Sequence, residues 1–236
     1  MSHCQLMESR FHLNSDSYHH LCLNFIAEFG KLVKLSGTPA SENISMRIIS
    51  GTARGRKLAE FAGIDIRPTP DRVREALFSK LSSRFGSLDG LKVLELFAGS
   101  GAQALEAVSR GADSAILVDA NVQAAKLITE NIKRCKLEEK TRLVQVDVLA
   151  VLPLLAADGP FDLILLDPPY HRDFIPQVLK QIDSLRLLDE NGIVCAESAA
   201  DEQQTDCGRL KIIESRKYGS TLIHLYCLNN STEDLT

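Results

Sequence analysis

Residues 162–170 read DLILLDPPY: an apolar run that ends in an acid, two prolines and an aromatic ring. A short continuous apolar run marks a strand covered on both faces, yet such a strand has no structural use for that ending. Similar runs recur on either side. LKVLEL (91–96), SAILVD (114–119), TRLVQVD (141–147) and GIVCAES (192–198) read as further strands. Helical patterns separate them. GAQALEAVSRG (101–111) closes at Gly111, and NVQAAKLITENIKRC (121–135) carries Val122, Ala125, Ile128 and Ile132 on one face. A short helix follows through Leu149 and Leu155, and FIPQVLKQIDSL (174–185) tolerates Pro176 in its first turn. This alternation predicts an α/β fold, a mostly parallel, doubly wound sheet with helices on both faces. The rhythm changes in RLKIIESRKYGSTLIHLYCL (209–228), where two adjacent apolar runs predict a C-terminal antiparallel hairpin and seven strands in all.

The front of the chain differs. Residues 1–45 read as an N-terminal extension, expected to be flexible or a mis-annotated start, with a helical stripe at Leu21, Phe25, Phe29 and Leu32 and a linker, SGTPASEN (36–43). Residues 46–90 form a basic segment and a helix. There, RIIS (47–50) is strand-like, and Gly51 and Gly55 suggest a small hairpin or loop. In RPTPDRVREALFSKL (67–81), Thr69 caps a helix, Pro70 opens it, and Val73, Ala76, Leu77 and Leu81 make its face. Residues 91–228 carry the regular sheet, and 229–236 are a polar tail.

Composition excludes several classes. The 236 residues are 44% hydrophobic and 25% charged, ordinary for a globular protein, and no run approaches the ~20 apolar residues of a membrane span. The six cysteines form no Cys-x-x-Cys pair and the histidines have no ligand spacing, so reduced thiols, a cytoplasmic location and no metal are expected. The net charge of −4 argues against bulk polyanion binding, but MRIISGTARGRK (46–57) holds Arg47, Arg54, Arg56 and Lys57 with no acid, and Arg67, Arg72 and Arg74 follow. That patch fits either a local phosphate-binding surface or a solvated charged face.

In an open α/β sheet, ligands bind beyond the carboxyl ends of the strands. After the first strand stands ELFAGSGA (95–102), where Gly99 and Gly101 let backbone approach a ligand. Asp119 ends the second strand, where an acid holds ribose hydroxyls, and Asp147 ends the third, where it meets an adenine amino group. Each acid alone also reads as a helix cap. Together with the glycines they describe an adenosine-containing ligand, and GSGAQA (99–104) by itself admits NAD.

The ending Asp167-Pro168-Pro169-Tyr170 narrows the chemistry. The lone pair of an exocyclic amine on a nucleobase is delocalised into the ring. Two acceptors aimed at its hydrogens, the Asp167 carboxylate and the Pro168 carbonyl, would localise that pair. The successive prolines stiffen the loop, and Tyr170 offers a face for an unstacked base. The matching electrophile is the sulfonium methyl of S-adenosylmethionine.

MRIISGTARGRKL, RPTPDRVREALFSKL, ELFAGSGAQALEAVSRGA, LLDPPY and CAES together resemble the bacterial 16S rRNA guanine-N2 methyltransferases of the RsmD type, class I enzymes with a Rossmann-like fold. The resemblance implies methylation of one guanine in 16S rRNA, within the 30S subunit or a late precursor, by a monomer that uses S-adenosylmethionine. It implies that Phe97, Ala98, Gly99, Ser100 and Gly101 line the methionine and ribose end of the cofactor, that Asp119 binds ribose, and that Asp147 and Val148 lie near adenine. Asp167, Pro168, Pro169 and Tyr170 would hold the guanine. Arg47, Arg54, Arg56, Lys57 and Arg72 would touch rRNA phosphates, and Thr69, Glu75 and Glu197 would border the site. Gln103, the loop HRDF (171–174) and the 45-residue front depart from the family pattern. Rival readings are an amino methyltransferase acting on DNA or another RNA, a noncatalytic RNA-binding assembly factor, and an NAD oxidoreductase, which leaves Asp167–Tyr170 unexplained.

Overall fold

A computed structural model describes residues 46–60 and 71–229. The chain divides into two units, Met1–Ile44 and Ser45–Thr236, and the described residues belong to the second. The stripe at 21–32, the linker, the Thr69 cap, Pro70 and the tail from residue 230 lie outside them.

The elements run in chain order as α1 (Asp71–Phe85), β1 (Lys92–Leu96), α2 (Ala102–Ser109), β2 (Ser114–Val118), α3 (Val122–Cys135), β3 (Thr141–Val144), α4 (Val148–Val151), β4 (Phe161–Leu166), α5 (Phe174–Ser184), β5 (Leu188–Ala199), β6 (Leu210–Tyr218) and β7 (Thr221–Leu228). They build one seven-stranded sheet ordered β3-β2-β1-β4-β5-β7-β6. β1 to β5 are parallel. β7 inserts between β5 and β6, antiparallel to both.

The apolar strands divide their side chains between two cores. On one face Val93, Leu163, Leu165, Ile193 and Cys195 pack with Leu77, Phe78 and Leu81 of α1, Leu105 and Val108 of α2, and Ile128 and Ile132 of α3. On the other, Leu94, Leu96, Ile164, Leu166 and Val194 pack with Val148 and Val151 of α4 and Val178, Leu179 and Ile182 of α5. The expected sheet, its helices on both faces and its terminal hairpin are all present.

Four local readings need correction. RIIS is not a strand. Residues 47 and 57 make an isolated antiparallel bridge, and Ile48 N donates to Arg56 O at 3.0 Å within a tight loop. Val122 is 53% exposed, because Asn121 caps α3 and turns that first residue outward, leaving Ala124 and Ala125 to begin the buried face. The single helix through Leu149 and Leu155 is two short pieces, α4 and a 3-10 turn at Leu154–Ala157, with Pro153 between them. On α1 the buried stripe is Arg74, Leu77, Phe78 and Leu81, while Val73 and Ala76 are half-buried.

The basic loop 46–60 is fixed to the helices behind it by polar side chains. Glu106, fully buried on α2, accepts Ile49 N at 2.7 Å, Ser50 N at 3.0 Å and Arg110 Nε at 2.6 Å. Ser109 Oγ donates to Ser50 O at 2.6 Å and accepts Ala53 N at 2.9 Å. Gly51 has φ +84°, and a Cβ there would fall 1.7 Å from Ser109 O, so no other residue fits this approach. Replacing Glu106 by Ala leaves two backbone amides and Arg110 without their acceptor. Breaking such a buried network is expected to cost about 3 kcal/mol, measured as a lowered urea midpoint, and Glu106→Gln should recover part of the loss.

Candidate active site

Backbone bonds carry the parallel pairing past the ends of β1, β2 and β4. Ala98 N donates to Val118 O at 3.0 Å, Asp119 N to Val144 O at 3.3 Å and Asp167 N to Leu96 O at 3.4 Å. The loops bearing the glycines, Asp119 and Asp167 therefore leave the sheet side by side. Strand order reverses between β1 and β4, and the crevice of a doubly wound sheet opens at that reversal.

The loop after β1 is tightly constrained. Phe97 is held at φ 58°, rare for a bulky residue, with its ring against Phe174 at 5.0 Å between centroids. Gly101 has φ +74°, and a Cβ there would lie 2.7 Å from Leu117 Cδ2. A Cβ at Gly99 would meet nothing within 4 Å, so that side of the loop is open to a ligand. Ala98 is buried, and Ser100 Oγ lies 3.8 Å from Met46 Sδ. Asp119 closes the loop from below: its Oδ2 accepts Gly99 N at 2.8 Å and its Oδ1 accepts Asn121 N at 2.8 Å. Asp147 is an exposed cap of α4, accepting Ala150 N at 3.1 Å, and Val148 beside it is buried.

In the loop after β4, Pro168 is buried and Pro169 exposed. Tyr170 is 37% exposed, donates its hydroxyl to Glu197 Oε1 at 3.3 Å and lies 3.0 Å from Thr221 Oγ1. Burial is the main reason its phenol is pushed up to about 12. The next turn is pinned by Glu202, which accepts His171 N at 2.5 Å and Ala199 N at 2.8 Å. A cleft of about 470 Å³, open to solvent, lies beside Pro168, Pro169, Tyr170, Phe174 and Gln204.

Register also gathers three acids. Leu166 pairs with Ala196, so Asp167 and Glu197 follow side by side, and Glu95 pairs with Leu165. By alternation all three side chains share the face covered by α1. Burial raises the Glu95 carboxyl to about 8, although it accepts Ala104 N at 3.1 Å. Burial, then Glu197 and Glu95, push Asp167 well above the usual carboxylate range.

Two buried residues here escaped the sequence reading. Glu95 had a signal, an acid inside the apolar run LKVLEL. Arg74 had none, since it sits among other arginines, yet it is 1% exposed. Of the predicted phosphate contacts, Arg47, Arg54, Lys57 and Arg72 are exposed, with Arg47 Nε 3.5 Å from Asp71. Arg56 is half-buried and donates Nη1 to Arg134 O at 2.7 Å, at the end of α3. Thr69 lies outside the described residues, and Glu75 is exposed.

Residues 46–227 match the family described as conserved hypothetical protein 95. The chain belongs to this family. Relatives include YlbH of Bacillus subtilis, provisionally named an rRNA methyltransferase, 35% identical over 183 residues, or 77% of this chain and 98% of the relative. Ribosomal RNA small subunit methyltransferase D of Escherichia coli K12 is 32% identical over 66% of this chain and 76% of its own length. A solved Escherichia coli structure, provisionally named a methyltransferase, superposes with TM-score 0.68 at 29% identity, covering 78% of this chain and 98% of that one. The fold is the class I methyltransferase fold.

Glu95 and Asp167 bind protons in the folded chain at pH values where unfolded carboxyls have released them. The Glu95 contribution is full below about pH 4.5, its unfolded value, and is lost as pH rises through its folded value of about 8; that of Asp167 has the same sign. Glu95→Gln is therefore expected to flatten the fall in unfolding free energy between pH 5 and pH 8.5, read from denaturant titrations at each pH.

Proposed function

We propose that the chain transfers a methyl group from S-adenosylmethionine to the N2 amine of a guanine in 16S rRNA, within the 30S subunit or a late precursor, and that it works as a monomer in the cytoplasm. The observation that carries this reading is the stiff Asp167–Tyr170 loop at the sheet's reversal point, beside the open glycine loop. Two relatives named as rRNA methyltransferases support the substrate class. Among the described residues no helix is long and apolar enough to cross a membrane.

The cofactor fits the residues present. The open side of Gly99 accommodates a group that a Cβ would displace; for ribose and adenine, Asp119 directly follows β2, and Asp147 caps α4 three residues after the neighbouring β3. In this reading Phe97, Ala98, Ser100 and Gly101 line the methionine side and Val148 the adenine side. S-adenosylmethionine, when bound, supplies an electrophilic methyl on a sulfonium. Asp167 and the Pro168 carbonyl accept the two hydrogens of the guanine amine, concentrating its lone pair toward the methyl. Once the nitrogen has been methylated it is cationic and acidic, and Asp167 or water takes its proton. Tyr170, steadied by Glu197 and Thr221, offers its ring to the flipped base. Arg47, Arg54, Lys57 and Arg72 bind phosphates, while Arg56 holds the basic loop against α3.

The deciding experiment is transfer of labelled methyl from S-adenosylmethionine to 30S particles from a strain lacking the protein, with nucleoside analysis. Labelled N2-methylguanosine in 16S rRNA is expected. Label in another base replaces the substrate, and the absence of label on unmodified particles, with cofactor bound, points to another nucleic acid or a noncatalytic role. Asp167→Ala should lower transfer roughly 100-fold or more while cofactor affinity stays within a few fold. Because the Asp167 carboxyl is raised, transfer should decline with acidification at a higher pH than an ordinary carboxylate would give. Arg54→Ala with Lys57→Ala should reduce the slope of log affinity for rRNA against log salt by roughly 0.7 for each phosphate no longer neutralised. An unchanged slope shows that neither side chain binds a phosphate.

A further inference from the structure

The acids that suit a sulfonium and an amine pose a difficulty for the rest of the cofactor. S-adenosylmethionine ends in an amino acid, whose ammonium is welcome near carboxylates and whose carboxylate is not. Glu95, Asp167 and Glu197 lie close together on the sheet, with Asp119 at the end of β2. The usual anion receptor, the amides of the glycine loop and of the first turn after it, is already partly engaged. Ala104 N donates to Glu95 Oε2 at 3.1 Å, Gly101 N to Ala98 O at 2.7 Å and Gly99 N to Asp119.

Among the described residues Arg74 is the one fully buried cation, at 1% exposure. Its Nη2 donates to Arg47 O and, at 2.8 Å, to Asp71 Oδ1. Arg47 follows Met46, whose Sδ touches Ser100 of the glycine loop, so the segment that Arg74 holds also meets that loop. Arg74 also lies close enough to Glu95 to favour that group's ionised form. Its Nε is buried and has no hydrogen-bond partner among the described residues. An arginine donor left unmatched in this way costs stability unless a ligand completes it.

We infer that Arg74 binds the α-carboxylate of the methionine end of S-adenosylmethionine through its unmatched Nε. The inference rests on the cofactor reading above and adds to it the residue that recognises the cofactor's amino-acid carboxylate. It gives the α1 arginine a cofactor role distinct from the phosphate binding proposed for Arg72, two residues earlier and exposed.

The test compares S-adenosylmethionine with its decarboxylated analogue, which keeps the sulfonium, adenosine and ammonium and lacks only the carboxylate. Dissociation constants are measured by calorimetry on the full chain without RNA. A charge-assisted hydrogen bond predicts a preference of roughly 10- to 100-fold for S-adenosylmethionine in the unaltered protein. Arg74→Met should abolish that preference by weakening S-adenosylmethionine alone, and Arg74→Lys, which keeps a charge but loses Nε, should reduce it. If Arg74→Met does not fold, Arg74→Lys decides. A full preference in the folded variant overturns the assignment. Failure of the unaltered chain to bind either compound instead overturns the cofactor reading, and the inference with it.

Discussion

β1 pairs in parallel with β2 on one side and β4 on the other, and the candidate site depends on that double pairing. The chain winds outward from this central pair in opposite directions, so the crossover helices leave the carboxyl end of the crevice uncovered. Matching register then does the rest. Leu96 stands opposite both Val118 and Leu166, so the glycine loop, Asp119 and Asp167 emerge at one level. The long apolar strands fix that register because a slip of one residue would turn both cores inside out. Rigid apolar strands thus hold loops whose own residues are polar or strained.

A second level of order comes from buried polar side chains on the helices. Asn131 of α3 is fully buried, accepts Ala59 N at 2.6 Å and donates to Ser100 O at 2.9 Å. One amide therefore joins the end of the basic loop to the glycine loop. Glu106 and Ser109 of α2 hold the same basic loop further back. Each of these bonds satisfies backbone groups that a short loop with little regular pairing would otherwise leave unmatched. The basic segment is consequently part of the fold's wall, and its exposed arginines project from an anchored base.

The sheet was legible in the sequence because strands buried on both faces must be apolar throughout, and DLILLDPPY, LKVLEL and SAILVD state that directly. The candidate site was read from the same pattern, since polar residues at the ends of such runs have few structural uses. Buried polar positions on helices were not. Glu106 within AQALEAVS and Asn131 within TENIKRC look like a helix's solvent side until the docked loop supplies their partners. Arg74 reads as one more surface charge, because its burial depends on Arg47 O and Asp71 closing over it. Val122 failed in the opposite sense, an apolar residue turned out by its cap. Periodicity reports which residues avoid water, and says little of polar groups that find partners from distant segments.

The arrangement of charge accounts for a net-acidic chain with a basic face. Arg47, Arg54, Lys57 and Arg72 are exposed, where attraction to phosphates acts through solvent and fades with salt. Glu95 and Glu197 are buried and Asp167 is half-buried beside them, where a polyanion's charge is repelled and cations or amino groups are favoured. Crowding carboxyls in apolar surroundings is costly when all are ionised, and the raised Glu95 and Asp167 show the folded chain avoiding that cost by retaining protons. A cationic group entering the site makes ionisation of Glu95 and Asp167 more favourable. In the proposed reading the two zones sort ligands by charge, drawing a phosphate backbone to the rim and its uncharged bases, or a cationic cofactor, to the interior.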